Sequence, residues 1–301
     1  MTGLKWTRKS APKISRALTR RGFRVGPDTV RRLLYDLGYR LRVNRKRLNK
    51  KQDPERDLQM KYLARKRRAF QEAGFPVISV DAKQRELVGN FRNPGRTYRR
   101  RALEVLESDY PSEADGVAIP YGIYDITRNE GFVVVGTSHQ TADFAVSAIR
   151  RWWIQEGQRR YPGKDHLMIN ADCGGANGNQ SWLWKHGLQG LADEFGLMIT
   201  VIHLPTSASK WNQIEHRLFC RIEANWAGQP LKDYETVLKF LRTTRTQNGL
   251  RVRAALDKTD YRIGLTVSKE QRERINLKLH YARPQWNYTI APCPNARKLE
   301  K

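Results

Sequence analysis

Three carboxylates stand in sequence contexts that suit metal-dependent chemistry. Asp81 directly follows the apolar run 77–80, Asp172 follows the apolar run 167–171, and Glu215 lies on a later segment with helical character. In an open α/β sheet, functional groups gather where the strands end. Hard oxygen ligands suit Mg²⁺, and two such ions ~3.5–4 Å apart activate an attacking oxygen and stabilise a leaving one. We therefore predict that the three acids form one catalytic, metal-binding site.

Each of these acids is a weak signal when it is taken singly, because an aspartate after a strand is more often a turn former or a helix cap. The competing acids have the character of turn or helix-surface residues: Asp125, Asp143, Glu156, Asp193 and Glu223. The sequence contains no phosphate-binding P-loop, so nucleotide hydrolysis is not the favoured chemistry. The hypothesis therefore depends on the pattern of three acids as a whole.

Several residues beside the acids are candidates for supporting roles. Lys83 and Lys210 are candidates for phosphate contacts near the metal ions. His216 is a candidate for orienting phosphate or a ligand, although a histidine in this setting is as often a surface residue. Asn177 belongs to the loop 174–178, whose glycines allow a DNA backbone to approach closely. Tryptophans stack on unpaired bases, but we expect core positions for at least three of Trp152, Trp153, Trp182, Trp184 and Trp211.

The distribution of charge indicates the kind of partner. The chain has 56 Lys and Arg against 30 Asp and Glu, which gives a net charge of +26. Residues 1–70 hold 23 basic and 5 acidic residues, a net +18 in less than a quarter of the chain. A concentrated basic block is typical of proteins that bind a polyanion, most often nucleic acid. The alternative is a solvated basic surface, and the same two interpretations apply to the cluster 96–101.

This basic block has the pattern of two short helices around a turn, between Ser10 and Gly22 and between Pro27 and Gly38. Such a pair resembles a helix-turn-helix, in which the second helix enters the major groove. We expect an inward apolar stripe made of Val30, Leu33, Leu34 and Leu37. The predicted DNA contacts are Thr29, Arg31 and Arg32 on the second helix, followed by a phosphate-tracking arm with Arg42, Arg45, Lys46 and Arg47. The alternative is a basic helical hairpin that packs on the larger domain.

The rest of the chain has the pattern of an α/β protein. We expect strands at 76–81, 86–92, 118–126, 131–136, 166–171 and 197–204, and helices at 141–153, 181–195 and 211–226. That order matches an RNase H-like core, a mixed sheet flanked by helices. We divide the chain into a basic helix-turn-helix DNA-binding module (1–54), a helical linker (55–75), an RNase H-like catalytic domain (76–292) and a disordered tail (293–301).

Composition excludes several other classes of protein. No run of ~18 apolar residues is present, so we expect no membrane-spanning helix, and the first residues lack the apolar stretch of a secretory signal. The three cysteines are widely spaced and form no CxxC pair, which argues against structural zinc and against a disulfide framework. We expect a reducing, cytoplasmic setting.

Five long segments of the chain resemble one known family. They are VISVDAKQRELVGNF, AIPYGIYDITRNEGFVVVG, LMINADCGGANGNQSWLWK, SKWNQIEHRLFCRIEANW and QNGLRVRAALD. Together they resemble the Rhodopirellula-type (ISAzo-type) DDE transposases of bacterial insertion sequences, and the resemblance extends from Leu4 to Pro292. The stretch HLPTSASKWNQIEH also resembles the wider group of transposases related to mariner elements.

This resemblance implies an RNase H-like core with its three acids at Asp81, Asp172 and Glu215. It implies Mg²⁺ as cofactor, with Mn²⁺ able to substitute, and double-stranded DNA as partner, both at the element ends and at the target. A homo-oligomer on DNA is also implied, since two ends are brought together, as is a bacterial, nucleoid-associated location in the cytoplasm. The mechanistic hypothesis is that water attacks a phosphodiester at the element end and that the released 3′-hydroxyl then attacks target DNA.

Three other functions stay open at the level of sequence. Members of this family usually carry further sequence before the stretch matching LKWTRKS, so an N-terminally truncated or non-catalytic DNA-binding derivative is one alternative. A related RNase H-like nuclease that cuts without joining is the second. A basic RNA-associated protein is the third, but it leaves the three acids unexplained.

Overall fold

The computed structural model describes residues 6–42, 55–205, 208 and 211–294. The chain divides into two compact units, Met1–Lys51 and Gln52–Lys301. The predicted DNA contacts Arg45, Lys46, Arg47 and Lys210 lie outside the described residues, as does the part of the predicted tail from 295 to 301. Within the described ranges, no helix is long and apolar enough to cross a membrane.

The first unit is a pair of short helices, α1 (Ala11–Thr19) and α2 (Pro27–Asp36). The two are joined through the Ser15 hydroxyl, which donates to the Val25 carbonyl at 2.6 Å. Val30 is buried, whereas Leu33 and Leu37 of the predicted inward stripe are exposed. Two helices of nine and ten residues cover only part of such a stripe, because a unit this small buries a small share of its surface.

The predicted DNA-contact residues of this first unit lie mainly at its surface. Arg31 and Arg32 of α2 are exposed, as is Arg42, whereas Thr29 is half-buried. The Arg31 guanidinium forms an ion pair with Asp28 one turn earlier on the helix. An exposed ion pair of this kind contributes little to stability, so it leaves Arg31 able to exchange its partner for a phosphate.

The second unit is built on a sheet of nine strands within the described residues. The strands are β1 (Val77–Ala82), β2 (Glu86–Val88), β3 (Gly116–Asp125), β4 (Glu130–Gly136), β5 (His166–Ala171), β6 (Met198–His203), β7 (Arg251–Asp257), β8 (Leu277–Leu279) and β9 (Asn287–Ile290). The helices are α3 (Arg56–Glu72), α4 (Ala142–Trp152), α5 (Gln158–Arg160), α6 (Trp182–Phe195), α7 (Cys220–Trp226), α8 (Tyr234–Thr243) and α9 (Lys269–Glu273). Two π-helical segments, Trp153–Gly157 and Glu215–Phe219, directly precede α5 and α7.

The strand order places β1 in the middle of the sheet. The order is β7-β4-β3-β1-β5-β6-β9-β8, and β2 pairs with β3 beside this path. β1 is antiparallel to β3 and parallel to β5, which is itself parallel to β6. The central order β4-β3-β1-β5-β6, with only β3 reversed, is that of the RNase H-like fold. The predicted fold class is therefore confirmed.

Both faces of the sheet are covered, as its apolar strands require. One face packs against α4 and α6, with Phe144, Ile149, Trp184 and Leu188 fully buried among the strands. The other face is covered by α7 and α8 at one side and by α3 at the other. Trp152, Trp153 and Trp184 are buried and Trp211 is exposed, which confirms the expectation of at least three core tryptophans.

Several elements differ from the sequence-based expectation. The predicted strand 86–92 ends at Val88, because the chain leaves the sheet at Gly89, where φ is +147°. The helix α3, which we assigned to a linker, is part of the second unit and packs on its sheet: its Gln59 amide donates to the His203 carbonyl at 2.9 Å. The strands β7, β8 and β9 extend the sheet at both edges, and the sequence analysis had not identified them.

Gly122 of β3 leaves the space that lets the segment bearing Glu215 lie on the sheet. A Cβ at this position would stand 2.6 Å from the Phe219 ring and 2.8 Å from Ile214 Cδ1. We expect Gly122→Ala to lower the free energy of unfolding by about 1–3 kcal/mol through overpacking, measured by chemical denaturation.

The control is Gly190→Ala, at a helical position in α6 where a Cβ would meet nothing within 4 Å. Alanine favours a helix over glycine by about 1 kcal/mol, so this change is expected to be neutral or stabilising. Equal losses in the two variants would contradict the close packing at Gly122.

Candidate active site

The register of two central strands brings Asp81 and Asp172 together. β1 and β5 are parallel neighbours, and Ser79 stands beside Asn170. This pairing ends two residues before Asp81, and Asp172 directly follows the last residue of β5, so both acids lie where the two neighbouring strands end. The two carboxylates are close enough for the charge of Asp172 to raise the pKa of Asp81.

Glu215 reaches these acids because its segment packs directly on the neighbouring strand. Gly122 of β3 is the cross-strand partner of Asp81, and the space over Gly122 is filled by Ile214 and Phe219. Both of these residues are buried, and they flank Glu215 on its π-helical segment. The third carboxylate is therefore held above the strand pair that carries the first one.

Burial raises the pKa values of all three acids, and the charges of neighbouring acids add to this effect at Asp81 and Glu215. Burial raises the pKa of Asp81 to about 7, with further contributions from the negative charges of Asp172 and Glu215. Burial also raises the pKa of Asp172. Glu215 has its pKa raised by burial, then by Glu223, while His216 and Lys83 act in the opposite direction. Like charges held together in a partly dry site favour a cation between them.

The arrangement is open rather than a closed cage. Across the ranges that the structure describes, no three His, Cys, Asp or Glu side chains stand close enough to hold a metal ion as a preformed group. Mg²⁺ keeps several waters and binds proteins through one or two carboxylates together with substrate phosphate. Carboxylate oxygens with raised pKa values are a donor set that fits a hard divalent cation.

Asn212 joins the first acid to the segment that carries the third. Its amide nitrogen donates to Asp81 Oδ2 at 3.1 Å, and its amide oxygen accepts from the Ser79 hydroxyl at 2.5 Å. The Ser79 oxygen in turn accepts from the Ile214 backbone N–H at 3.3 Å. Ser79, Asn212 and Ile214 are all buried. One continuous set of hydrogen bonds therefore fixes both the Asp81 carboxylate and the start of the Glu215 segment.

A second buried set of hydrogen bonds holds the backbone of Asp172. His203 Nδ1 donates to the Asp172 backbone carbonyl at 2.7 Å, and His203 Nε2 lies 3.2 Å from the Tyr288 hydroxyl. The Trp184 indole donates to the same hydroxyl at 3.0 Å. Burial lowers the pKa of His203 to about 4, so the ring is neutral, with its proton on Nδ1 and its Nε2 accepting from Tyr288. The hydrogen bonds therefore run in a single direction, from the Trp184 indole to the Tyr288 hydroxyl, from this hydroxyl to His203, and from His203 to the Asp172 carbonyl.

The sequence profile of the Rhodopirellula transposase DDE domain family matches residues 1–292 of the chain. The chain belongs to this family. It is therefore a DDE transposase with an RNase H-like core, an enzyme of the polynucleotidyl transferase type whose chemistry depends on divalent metal ions. No curated protein matches the chain significantly.

Among solved structures, complexes of the Mos1 transposase have a similar fold. The paired-end complex with the left transposon end has 13% sequence identity, a TM-score of 0.44 and coverage of 80% of this chain and 72% of that chain. The strand transfer complex has 16% identity, a TM-score of 0.47 and coverage of 77% and 64%. The mariner paired-end complex with Mg has 14% identity, a TM-score of 0.46 and coverage of 80% and 72%.

Lys83 lies in a different environment from the one that the sequence suggested for it. Lys83, a candidate for phosphate contact, is 7% exposed; its ammonium pairs with Glu86 at 2.6 Å and with Glu223 at 3.5 Å. It also lies 5.0 Å from the centre of the Trp226 ring. In this arrangement Lys83 acts as an internal counter-charge beside Glu215 rather than as a surface cation.

The two residues predicted to support the site lie on different sides of it. Asn177 is buried and its side-chain oxygen accepts from the Tyr121 hydroxyl at 3.4 Å. Burial and the charges of Asp81 and Asp172 raise the pKa of Tyr121, so this pair lies near the acids. His216 is exposed next to Glu215, and its charge lowers the pKa of that carboxyl.

Two of the competing acids are buried, and for Glu156 this corrects its description as a turn or helix-surface residue. Asp125, the last residue of β3, is a turn former as predicted, because its carboxylate accepts from the Thr127 and Arg128 N–H groups at 3.0 Å. It also accepts from the Tyr161 hydroxyl at 2.8 Å. Glu156 is 6% exposed, and its charge is balanced by ion pairs with Arg159, Arg160 and Arg253. Both are satisfied by structural partners, so neither competes for the metal site.

The hydrogen bonds of Asn212 predict a measurable contribution to stability. Asn212→Ala leaves the buried Ser79 hydroxyl and Asp81 Oδ2 without this partner, and we expect the free energy of unfolding to fall by about 1–3 kcal/mol. Asn248→Ala is the control, because this exposed asparagine should change stability by no more than about 0.5 kcal/mol. Chemical denaturation without added metal measures both, and a loss for Asn212→Ala no larger than the control would contradict the link.

Proposed function

We propose that this transposase uses Asp81, Asp172 and Glu215 to bind Mg²⁺, cleaves DNA at the ends of its element and joins the new ends to target DNA. The observation that supports the proposal is the convergence of the three carboxylates: Asp81 near the end of β1, Asp172 directly after the adjacent β5, and Glu215 on the segment that packs over Gly122, with the charges of the other two raising the pKa of Asp81. Mn²⁺ shares the preference of Mg²⁺ for oxygen ligands and is expected to substitute.

The roles of the three acids follow from where they lie. Asp81 stands on the central strand between Asp172 and the Glu215 segment, so these three carboxylates would together hold the metal ions. When bound, the ions lower the pKa of the attacking oxygen and stabilise the leaving one. Asn212 keeps Asp81 oriented through its amide nitrogen, while His203 holds the backbone of Asp172.

The reaction has two phosphoryl-transfer steps at the same place. In the first, water adds to the phosphorus of a phosphodiester at the element end, and the 3′-oxygen leaves and takes up a proton as a hydroxyl. In the second, that 3′-hydroxyl adds to a phosphodiester of target DNA and displaces another 3′-oxygen. No covalent link to the protein is formed, so the chain contributes position and charge rather than a nucleophile.

The first unit is proposed as the module that recognises the element end. Its helix α2 would contribute Thr29, Arg31 and Arg32 to the major groove, with Arg42 on the following phosphates. Arginine contacts phosphate or the edge of guanine, and such contacts make binding weaken as salt rises. Because two element ends must be joined to one target, we further propose that the active form on DNA is a homo-oligomer.

Asp172→Asn tests the assignment of the site. Labelled DNA carrying the inverted repeats that flank the gene is incubated with Mg²⁺ and a target plasmid, and both cleavage and joining are followed on gels. We expect wild-type protein to cleave and join, and Asp172→Asn to lose at least ~10³-fold of the rate with DNA binding intact, since removing one charge-stabilising group costs about this much. EDTA is expected to abolish both reactions of the wild type.

The matched control is Asp260→Asn, an exposed aspartate in the loop after β7, which is expected to retain wild-type rates. Cleavage by Asp172→Asn at the control rate would reject the site. Cleavage without joining by the wild type would instead identify a nuclease of the same fold, and DNA binding without cleavage would identify a non-catalytic derivative.

A further inference from the structure

A second cationic surface lies in the segment that connects β2 to β3. We call residues 89–107 the arginine loop, because five arginines stand within ten positions: Arg92, Arg96, Arg99, Arg100 and Arg101. No acidic residue occurs between Glu86 and Glu104. All five arginines are exposed, so the loop presents five positive charges to solvent on one short stretch of chain.

These charges are not neutralised by the protein. Several arginines elsewhere in the second unit are paired with acids, among them Arg150 with Glu194, Arg160 with Glu130, and Arg253 with Glu156. Over the described part of the chain, no carboxylate forms an ion pair with any arginine of the arginine loop, whereas the Arg99 guanidinium donates to the neutral side chain of Gln229. Neighbouring like charges repel one another, and an anion from outside the chain would remove that repulsion.

The base of the arginine loop is fixed to the turn that follows α7. Asn93 Nδ2 donates to the carbonyls of Trp226 and Gln229, both at 3.1 Å. The Gly228 N–H donates to the Pro94 carbonyl at 2.8 Å. At Gly95, φ is +125° and a Cβ would stand 2.6 Å from Ala227 Cβ, so only glycine allows this approach. The arginines are therefore carried on an anchored support.

The arginine loop and this turn enclose an open groove of about 430 Å³. Its lining includes Arg92, Thr97, Arg99, Arg100, Arg101 and Gly228, and no acidic residue lines it. Tyr98 stands fully exposed beside it. We propose that this groove binds the sugar-phosphate backbone of DNA outside the active site, which deepens and rests on the proposed function.

The chemistry of the groove favours a chain of phosphates over one small anion. A guanidinium fork matches two phosphate oxygens, and the four arginines that line this open groove match several successive phosphates. Contacts of this type position a duplex without reading its sequence. The groove would therefore act on flanking or target DNA, whose sequence varies, as readily as on the element end.

The position of the groove predicts where on the DNA it binds. Its anchor, Trp226, ends the continuous helical stretch that begins at Glu215. Eleven residue steps of helix span roughly 16 Å, which corresponds to about five base pairs at 3.4 Å per pair. We therefore expect the arginine loop to contact phosphates about five base pairs from the phosphodiester that is cleaved.

The salt dependence of DNA binding tests the proposal. The full chain and the triple variant Arg99→Ala/Arg100→Ala/Arg101→Ala are titrated with labelled duplex DNA in EDTA, between about 50 and 200 mM salt. Log K falls as log salt rises, and each phosphate contact contributes about −0.9 to this slope. The triple variant is therefore expected to have a slope that is less negative than that of the wild type by about 2.7. Its thermal midpoint is expected to match the wild type, since the three side chains are exposed.

The matched control is Lys269→Ala/Arg274→Ala/Lys278→Ala, which removes the same charge from exposed residues near the β8 edge of the sheet. The control is expected to change the slope by less than about one unit. The proposal would be overturned if the slope became less negative by the same amount in both triple variants, or if it did not change in the arginine-loop variant.

The place of contact is tested by ethylating the DNA phosphates and asking which modifications weaken binding. We expect a group of such phosphates about five base pairs from the cleavage site in the wild type and in the control, and its loss in the arginine-loop variant. Persistence of that group in the variant would also overturn the proposal. Since binding is measured without metal, failure of cleavage would reject the proposed function alone, whereas an unchanged slope would reject the groove alone.

Discussion

The burial of the Asp81 carboxylate beside two other acids is the constraint on which this site depends. Asp81 has its pKa raised to about 7 by burial and by the charges of Asp172 and Glu215, so the protein alone holds these groups in an unfavourable arrangement. Side chains on flexible loops would move apart to relieve such repulsion. Here the pairing of β1 with β5 places two of the acids where neighbouring strands end, and close packing over Gly122 fixes the segment of the third.

The surroundings of the site serve to keep that arrangement in place. Ser79 and Asn212 connect β1 to the Glu215 segment, and His203 with Tyr288 and Trp184 connects β5 to β9 and α6. Lys83 supplies the internal positive charge, held between Glu86 and Glu223. A site preorganised in this way needs little rearrangement when charge develops on the substrate, which is the main source of catalysis by electrostatics.

The strands that carry the aspartates were predictable because each is a short apolar run that ends at an acid. The strands β7, β8 and β9 were not. β7 alternates exposed Arg251 and Arg253 with Val252, and β8 has three residues, so neither gives the continuous apolar pattern of a buried strand. Lys83 has the residue type of a surface cation, and only the tertiary positions of Glu86 and Glu223 make it an internal one.

The supporting hydrogen bonds were also beyond the reach of sequence. Ser79 and Asn212 are 133 positions apart, and His203 and Tyr288 are 85 apart, so no local spacing indicates that they meet. Asn212 lies three residues before Glu215, where the sequence predicted only a helix from 211. The observed segment is π-helical at Glu215, a geometry frequent at functional sites and without a sequence signature of its own.

The location of bound metal tests the central claim most directly. Crystals of the protein with element-end DNA and Mn²⁺ would show the ions by their anomalous scattering. The account predicts peaks bordered by carboxylate oxygens of Asp81 and Asp172, with Glu215 on the same ions. Peaks bound elsewhere on the chain, or the three carboxylates bound to separate, distant ions, would contradict it.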